Sequence, residues 1–259
     1  MNVLVVDVGG THVKILASGE TTPRKIISGS ELTAQAMVAA VKKLAADWKY
    51  DAVAIGYPGP VIHGRPLHEP FNLGPGWMGF DFAKAFGKPV KMINDAAMQA
   101  LGSYDHGSML FLGLGTGLGS AMVVEGRIEP MELAHLPYRK ATYEDYVGLR
   151  GLKRYGKKKW RDYVEDVVEK LSVALEPDEV VIGGGNSKLL KKLPPHSRMV
   201  DNANAFLGGF RLWQDSQISA ANYDAASEPE PTAKSKAKTN GSAVKRAVKR
   251  KGASEWQQA

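Results

Sequence analysis

Three short runs of the chain carry residues whose types and spacing suit phosphate chemistry. The first is Asp7-Val-Gly9-Gly10-Thr11-His-Val-Lys14. An apolar run delivers a carboxylate to a turn whose two glycines let backbone amides approach an anion closely. Thr11 adds a hydroxyl donor, and Asp7 could hold a magnesium ion through water, as phosphoryl transfer requires. The plain alternative is a hairpin closed by Gly-Gly. The run is neither a Walker loop nor a dinucleotide fingerprint, because the spacing and the element that follows are wrong for both. The second run, Gly113-Leu-Gly115-Thr116-Gly117-Leu-Gly119-Ser120, has glycines in alternation. They weaken a strand and make sense where backbone wraps a phosphate chain. Two such turns are what gripping a polyphosphate from both sides requires. The third run, Val181-Ile-Gly183-Gly184-Gly185, is a strand ending in a turn that passes under a nucleotide or simply closes tightly.

Two acidic positions complete the set. Asp95 in Ile93-Asn94-Asp95-Ala96 stands where a strand gives way to a helix. It reads either as a general base for a hydroxyl or as a helix cap. Glu132-Leu-Ala-His135 reads as hydrogen-bonding partners for a sugar or as half of a metal site. With no cysteine in the chain and no second histidine nearby, zinc is not expected. Asn72 lies in a long Pro/Gly-rich loop, and Glu144 and Asp145 open a helix that they either cap or use as a platform.

The elements that must position these residues follow from periodicity. NVLVVDV and VKILASG read as a strand pair around Gly9-Gly10. SELTAQAMVAAVKKLAADW has helical spacing, with Ser30 as its expected N-cap. DAVAIGYPG is another buried strand, and VKMINDAAMQALGSY runs from strand to helix. SMLFLGLGTGLGSAMVVEG is two strands about a glycine turn. YEDYVGLRGLKRYG and KWRDYVEDVVEKLSVAL are helical, DEVVIGGG and RMVD are strands, and ANAFLGGFRLWQ is a closing helix. Strands alternating with helices indicate an α/β fold with mixed sheets. A strand–glycine–threonine–strand unit opens each half, which implies two similar lobes about a cleft.

Composition narrows the function classes. The 259 residues are 44% hydrophobic and 24% charged, ordinary for a soluble globular protein. The absence of cysteine excludes disulfides and thiol catalysis. The apolar start is too short for a membrane span and lacks the features of a signal peptide, so a cytoplasmic protein is expected. Of the net charge of +7, the stretch from Ala225 to Ala259 carries +5. Residues 216–259 are poor in large apolar side chains and are expected to be a disordered basic tail. Its KRAVKRKG run would bind polyanions weakly, but it has no groove-reading motif, so nucleic acid is not the expected partner.

Taken in order, these motifs resemble the ROK family (repressors, open reading frames and kinases) of the actin/hexokinase-like superfamily, over roughly residues 2–213. Within it the chain looks most like the polyphosphate glucokinases, on the segment IEPMELAHL and the short length. The resemblance implies a two-lobed actin-like ATPase (ribonuclease H-like) fold, with an N-terminal lobe at 1–95 and a C-terminal lobe at 96–215. It implies transfer of a phosphoryl group from ATP or inorganic polyphosphate to a hexose, with glucose first, and it implies magnesium and a homodimer. Asp7, Gly9, Gly10, Thr11 and Lys14 match the first phosphate motif, Gly115, Thr116 and Gly117 the second, and Gly184 and Gly185 the distal turn. Asp95 matches the catalytic base, with Asn94 beside it on the sugar. Asn72, Glu132, His135 and Glu144 match sugar-binding positions. Ala134 stands where the family usually has glycine, the zinc segment of many members is absent, and the run after His135 differs from the glucokinase pattern. Lys153, Arg154, Lys157, Lys158, Lys159 and Arg161 form either a track for polyphosphate or a solvated helix face. A non-catalytic sugar sensor on the same fold is the competing class; the presence of Asp95 argues against it.

Overall fold

The computed structural model describes residues 1–214; the expected tail at 216–259 lies outside the described residues. In chain order the strands are β1 (Val3–Val8), β2 (His12–Ala17), β3 (Arg24–Ile27), β4 (Ala52–Tyr57), β5 (Val61–Ile62), β6 (Arg65–Pro66), β7 (Val90–Asn94), β8 (Ser108–Leu114), β9 (Leu118–Val124), β10 (Arg127–Met131), β11 (Pro137–Tyr138), β12 (Ala141–Thr142), β13 (Glu179–Gly183) and β14 (Ser197–Met199). The helices are α1 (Ala34–Leu44), α2 (Phe82–Phe86), α3 (Asp95–Ser103), α4 (Tyr143–Val147), α5 (Leu149–Leu175) and α6 (Asn204–Gln214).

Two five-stranded sheets share one plan. The first runs β3-β2-β1-β4-β7 and the second β10-β9-β8-β13-β14. In each, three strands form an antiparallel meander and two more are added parallel to its first strand. The echo seen in the sequence is thus an echo of topology, and each glycine–threonine turn joins the first two strands of its sheet.

Uniform apolar runs become two-faced strands here. Val3 and Val5 face one core, while Leu4, Val6 and Val8 face another. Met109 and Phe111 likewise face the first of these cores, and Leu110, Leu112 and Leu114 a third. Successive residues of a strand point to opposite faces, so burial on both sides demands an unbroken apolar run. The shared core holds α3 and α6 between the two sheets. The outer face of the first sheet is covered by α1 and by Trp77 and Phe82; that of the second is covered by α4 and α5.

Helix α1 begins later than expected. Its N-cap is Thr33, whose hydroxyl accepts from Ala36 N–H, and not Ser30. Leu32 N–H closes a turn onto Gly29, and Leu32 C=O accepts from Gly74 N–H, so residues 29–32 are already committed outside the helix. The two expected helices after residue 143 meet a break at Gly156, where φ is 72° and ψ is 164° inside α5. Among the described residues no helix is long and apolar enough to cross a membrane.

The α3–α6 crossing is closer than any side chain permits. A Cβ on Gly102 would lie 1.8 Å from Asn204 O, and one on Gly208 would lie 1.7 Å from Met98 O. Backbone is met in both cases, so rotamer changes bring no relief. Gly208→Ala gains about 1 kcal/mol of helix propensity but forces the pair apart, a cost of about 2–3 kcal/mol or more. A fall in melting temperature of about 3–8 °C is expected in a thermal scan; an unchanged or higher value would show that the crossing yields freely.

Candidate active site

The first glycine turn is built from β1 and β2. Register places Asp7 opposite Lys14, and their charged atoms lie 3.7 Å apart. Gly9 N–H donates to His12 O (3.0 Å), and Ser28 Oγ donates to Gly9 O (2.6 Å). A Cβ on Gly9 would come within 2.9 Å of that same His12 oxygen, which fixes glycine there. Gly10 and Thr11 remain exposed on the rim. A Cβ on Gly10 would touch the Asn72 side chain at 3.5 Å, so the long loop brings Asn72 onto this turn. Glu69 fastens that loop by accepting from the backbone N–H groups of Trp77 and Met78.

The second and third turns form one unit. Gly115 N–H donates to Gly117 O (3.1 Å). Asn186 then donates its side-chain N–H to Gly115 O (2.8 Å) and its backbone N–H to Leu114 O (2.9 Å). Gly184, at φ 84°, packs onto the end of β8: a Cβ there would fall 2.4 Å from Leu114 O. Asn202 Oδ1 accepts from Gly184 N–H. Gly185 is exposed beside this unit. Glu144, in the first turn of α4, lies so close to Gly117 that a Cβ on that glycine would be 2.1 Å from its carboxylate.

Asp95 stands between these walls as the first residue of α3. Asn94 caps the helix: its Oδ1 accepts from Ala97 N–H (3.0 Å) and its Nδ2 donates to Gly59 O (3.1 Å). Both ends of that amide are therefore committed to backbone, and in this conformation Asn94 holds Asp95 in place. The Asp95 carboxylate accepts from Ala96 N–H (2.8 Å). Protein atoms surround it while part of its surface stays open. Burial raises its pKa to about 7; the charges of Asp7 and then Glu132 push the same way, against the Ala96 hydrogen bond. Burial also raises Asp7, with Lys14 opposing. Glu132 is raised by burial, lowered by His135, whose ring lies 3.8 Å away, and raised by Glu144.

A row of carboxylates therefore connects Asp7, Asp95, Glu132 and Glu144 through their fields. Asp145 caps α4 with Thr142 and pairs with Arg150; the other site residues singled out in the sequence, the Lys153–Arg161 cluster excepted, belong to this group or to the turns flanking it. The cluster sits on α5, with Arg161 Nε donating to Leu189 O (2.6 Å). Sequence reasoning missed Ser28, Asn186 and Asn202, which stitch the turns. It also missed Ser120, whose hydroxyl donates to Met131 O and accepts from Leu133 N–H, clipping the Glu132–His135 turn onto β9. Only Asn186 carried a signal, as the residue directly after three glycines.

The chain is similar in sequence and in fold to known proteins. Residues 3–130 match the family model described as "ROK family". A bifunctional enzyme NanE/NanK from Brucella melitensis is 30% identical over 140 residues, 49% of this chain and 27% of that protein. A polyphosphate glucokinase from Mycobacterium tuberculosis is 28% identical over 158 residues, 55% of this chain and 59% of the relative. The chain thus spans from about a quarter to about three fifths of the length of these curated relatives. An inorganic polyphosphate/ATP-glucomannokinase from Arthrobacter sp. strain KM superposes with a TM-score of 0.69 at 23% identity, covering 80% of this chain and 96% of that one. A glucokinase from Streptomyces griseus, solved with glucose and AMPPNP, superposes at 0.65 and 18% identity over 82% and 99%. The paired sheets, the turns between their first strands and these superpositions show that the chain has the fold of these sugar kinases, and its residues 3–130 are similar to the ROK family.

Proposed function

We propose that this chain is a sugar kinase that moves a phosphoryl group from ATP or inorganic polyphosphate to a hexose, with the 6-hydroxyl of glucose as the first candidate. The observation that carries the reading is Asp95: a carboxylate pushed to about 7 by burial, held at the start of a helix between two glycine turns and beside Glu132. A base of that pKa accepts a hydroxyl proton at neutral pH and returns it after reaction. The polyphosphate glucokinase and glucomannokinase among the related proteins support the choice of substrates.

The steps follow from the chain's own groups. Asn72, Glu132, His135 and Glu144 bind the sugar hydroxyls. Asp95 takes the proton of the attacking hydroxyl, and that oxygen forms a bond to the terminal phosphorus while the bridging bond to the donor breaks. Phosphorylated sugar and shortened donor leave. Amides of Gly10, Thr116 and Gly117, together with Lys14, hold the phosphoryl oxygens as charge spreads over them, while the Gly9 and Gly115 amides fix the turns. Approach of the lobes at 1–95 and 96–215 keeps water from the phosphoryl group. Asp7 is a hard oxygen donor beside the first glycine turn, and it fits magnesium bound through water. Once bound, the ion neutralises donor phosphate charge.

Three outcomes test this reading. Purified full-length protein with glucose and magnesium should form glucose 6-phosphate in a coupled assay run in parallel with ATP and with polyphosphate. Silence with both donors across a panel of hexoses and amino sugars would sink the kinase assignment. Asp95→Asn should lower kcat about 10²-fold or more, with the sugar KM within a few-fold. In the parent, kcat/KM should rise about tenfold per pH unit below pH 7 and level off above it, because protonated Asp95 accepts no proton.

The same group makes stability depend on pH. The folded pKa of Asp95 lies above the unfolded value, so the folded state binds its proton more tightly. The ionised carboxylate then costs stability increasingly as pH rises from about 4 to 7, by as much as about 4 kcal/mol. Asp95→Asn should therefore raise the melting temperature at pH 8 and much less at pH 4. Equal shifts at both pH values would mean that Asp95 ionises without strain.

A further inference from the structure

We infer that the kinked basic segment of α5 binds the distal phosphates of a polyphosphate chain whose reactive end lies at the glycine turns. The inference rests on the donor reading above and adds a binding site remote from the chemistry.

Charge gives the first argument. From Arg150 to Arg161 the chain holds seven cations and no acidic residue. The ion pairs nearby use Arg139, Arg150 and Lys170. Among the described residues Lys153, Arg154, Lys157, Lys158 and Lys159 have no carboxylate partner, and all five are exposed. Cations left unpaired this close together repel one another and favour an anionic occupant.

Position gives the second. Helix α5 begins on the second glycine turn: Leu149 N–H donates to Thr116 O (3.1 Å), and Gly148 packs against Gly117. At its far end the segment is tied to the third turn's unit, through Arg161 and Leu189. Lys153 is four residues beyond Leu149, about 6 Å along a helix axis, and Lys157 to Lys159 follow the break at Gly156. A linear polyanion gripped at the turns continues toward these side chains after a triphosphate has ended.

The break at Gly156 gives the third. Its φ of 72° and ψ of 164° fall in a region that only glycine occupies at ease. In a regular helix Lys153 and Arg154 would share a face with Lys157 and Lys158, and the break frees Lys157, Lys158 and Lys159 from that fixed register.

The aromatic residues decide against a nucleic acid. Tyr155 already stacks on Tyr146 (5.3 Å, 13°), and Arg154 and Lys159 lie 5.3 and 5.9 Å from its ring centre. A single strand needs free aromatic faces for its bases, and this one is taken. What remains is a run of ammonium groups suited to phosphate oxygens.

The test compares parent protein with K157Q/K158Q/K159Q, three exposed changes that leave the core intact. Steady-state KM is measured for tripolyphosphate and for long-chain polyphosphate, and direct binding of a fluorescent long-chain polyphosphate is measured at low and moderate salt. In the parent, long chains should bind at least tenfold more tightly than tripolyphosphate, with strong salt dependence. In the variant that preference should fall about tenfold, toward parity, and the salt dependence should flatten. An unchanged preference in the variant, or none in the parent, overturns the site. Competition by a single-stranded oligonucleotide of equal charge as effective as polyphosphate overturns its assignment to phosphate chains. Tight, variant-sensitive binding without phosphoryl transfer would uphold the site and overturn the donor reading instead.

Discussion

The structure depends on keeping ionisable carboxyl groups close together and partly out of water. Asp95 feels Asp7 on one side and Glu132 on the other, and Glu132 feels Glu144 in turn. Left to themselves these groups would separate or protonate. They stay together because each sits on a different rigid element: a strand end, a helix start, the turn after β10 and the first turn of α4. Only local cations and N–H groups oppose the repulsion: Lys14 at Asp7, Ala96 N–H at Asp95 and His135 at Glu132. Incomplete compensation leaves Asp95 titrating near neutrality, so the strain and the proposed chemistry have one origin.

Helix α3 is where that strain is anchored. Its first residue is Asp95, and its body fills the core shared by the two sheets. Gly119 lets β9 approach so closely that a Cβ there would lie 2.8 Å from the Ala96 side chain, setting the second glycine turn beside the start of the helix. At its other end, Gly102 and Gly208 let α6 lie directly on it, and Gly209 brings α6 onto Val5 of β1. At these four points the glycines place no side chain of their own between the first sheet, the helix pair and the second sheet.

Much of this was legible because the reasons are local. Strands covered on both faces need unbroken apolar runs, so β1, β4 and β8 announced themselves. The glycines of the turns were legible because backbone or a carboxylate occupies the place of their missing side chains, as at Gly9, Gly117 and Gly184. What could not be read were partners distant in the chain. Asn186 on Gly115 and Asn202 on Gly184 are ordinary loop asparagines until the third turn folds over the second. Thr33 displaced Ser30 as a cap because Gly74, over forty residues away, takes the Leu32 carbonyl. Asn94 beside Asp95 stood out, but that its amide spans Ala97 and Gly59 needed the β4 loop in place.

The two turns share a plan and differ in charge, and the difference gives the site a direction. The first carries Lys14 beside Asp7, a cation held by the carboxylate opposite it. The second carries no cation of its own and has Glu144 against Gly117, so in the proposed site its grip on an anion would come from backbone amides. Amides are fixed dipoles that lose little freedom on binding and discriminate by geometry. Ammonium groups act over a longer range and tolerate disorder. An oxyanion that must be placed to a fraction of an ångström belongs at the amides. The unpaired lysines of α5 lie beyond them, where attraction without exact placement is enough. That order, geometry at the reacting end and charge farther out, is the one a long phosphate donor would require.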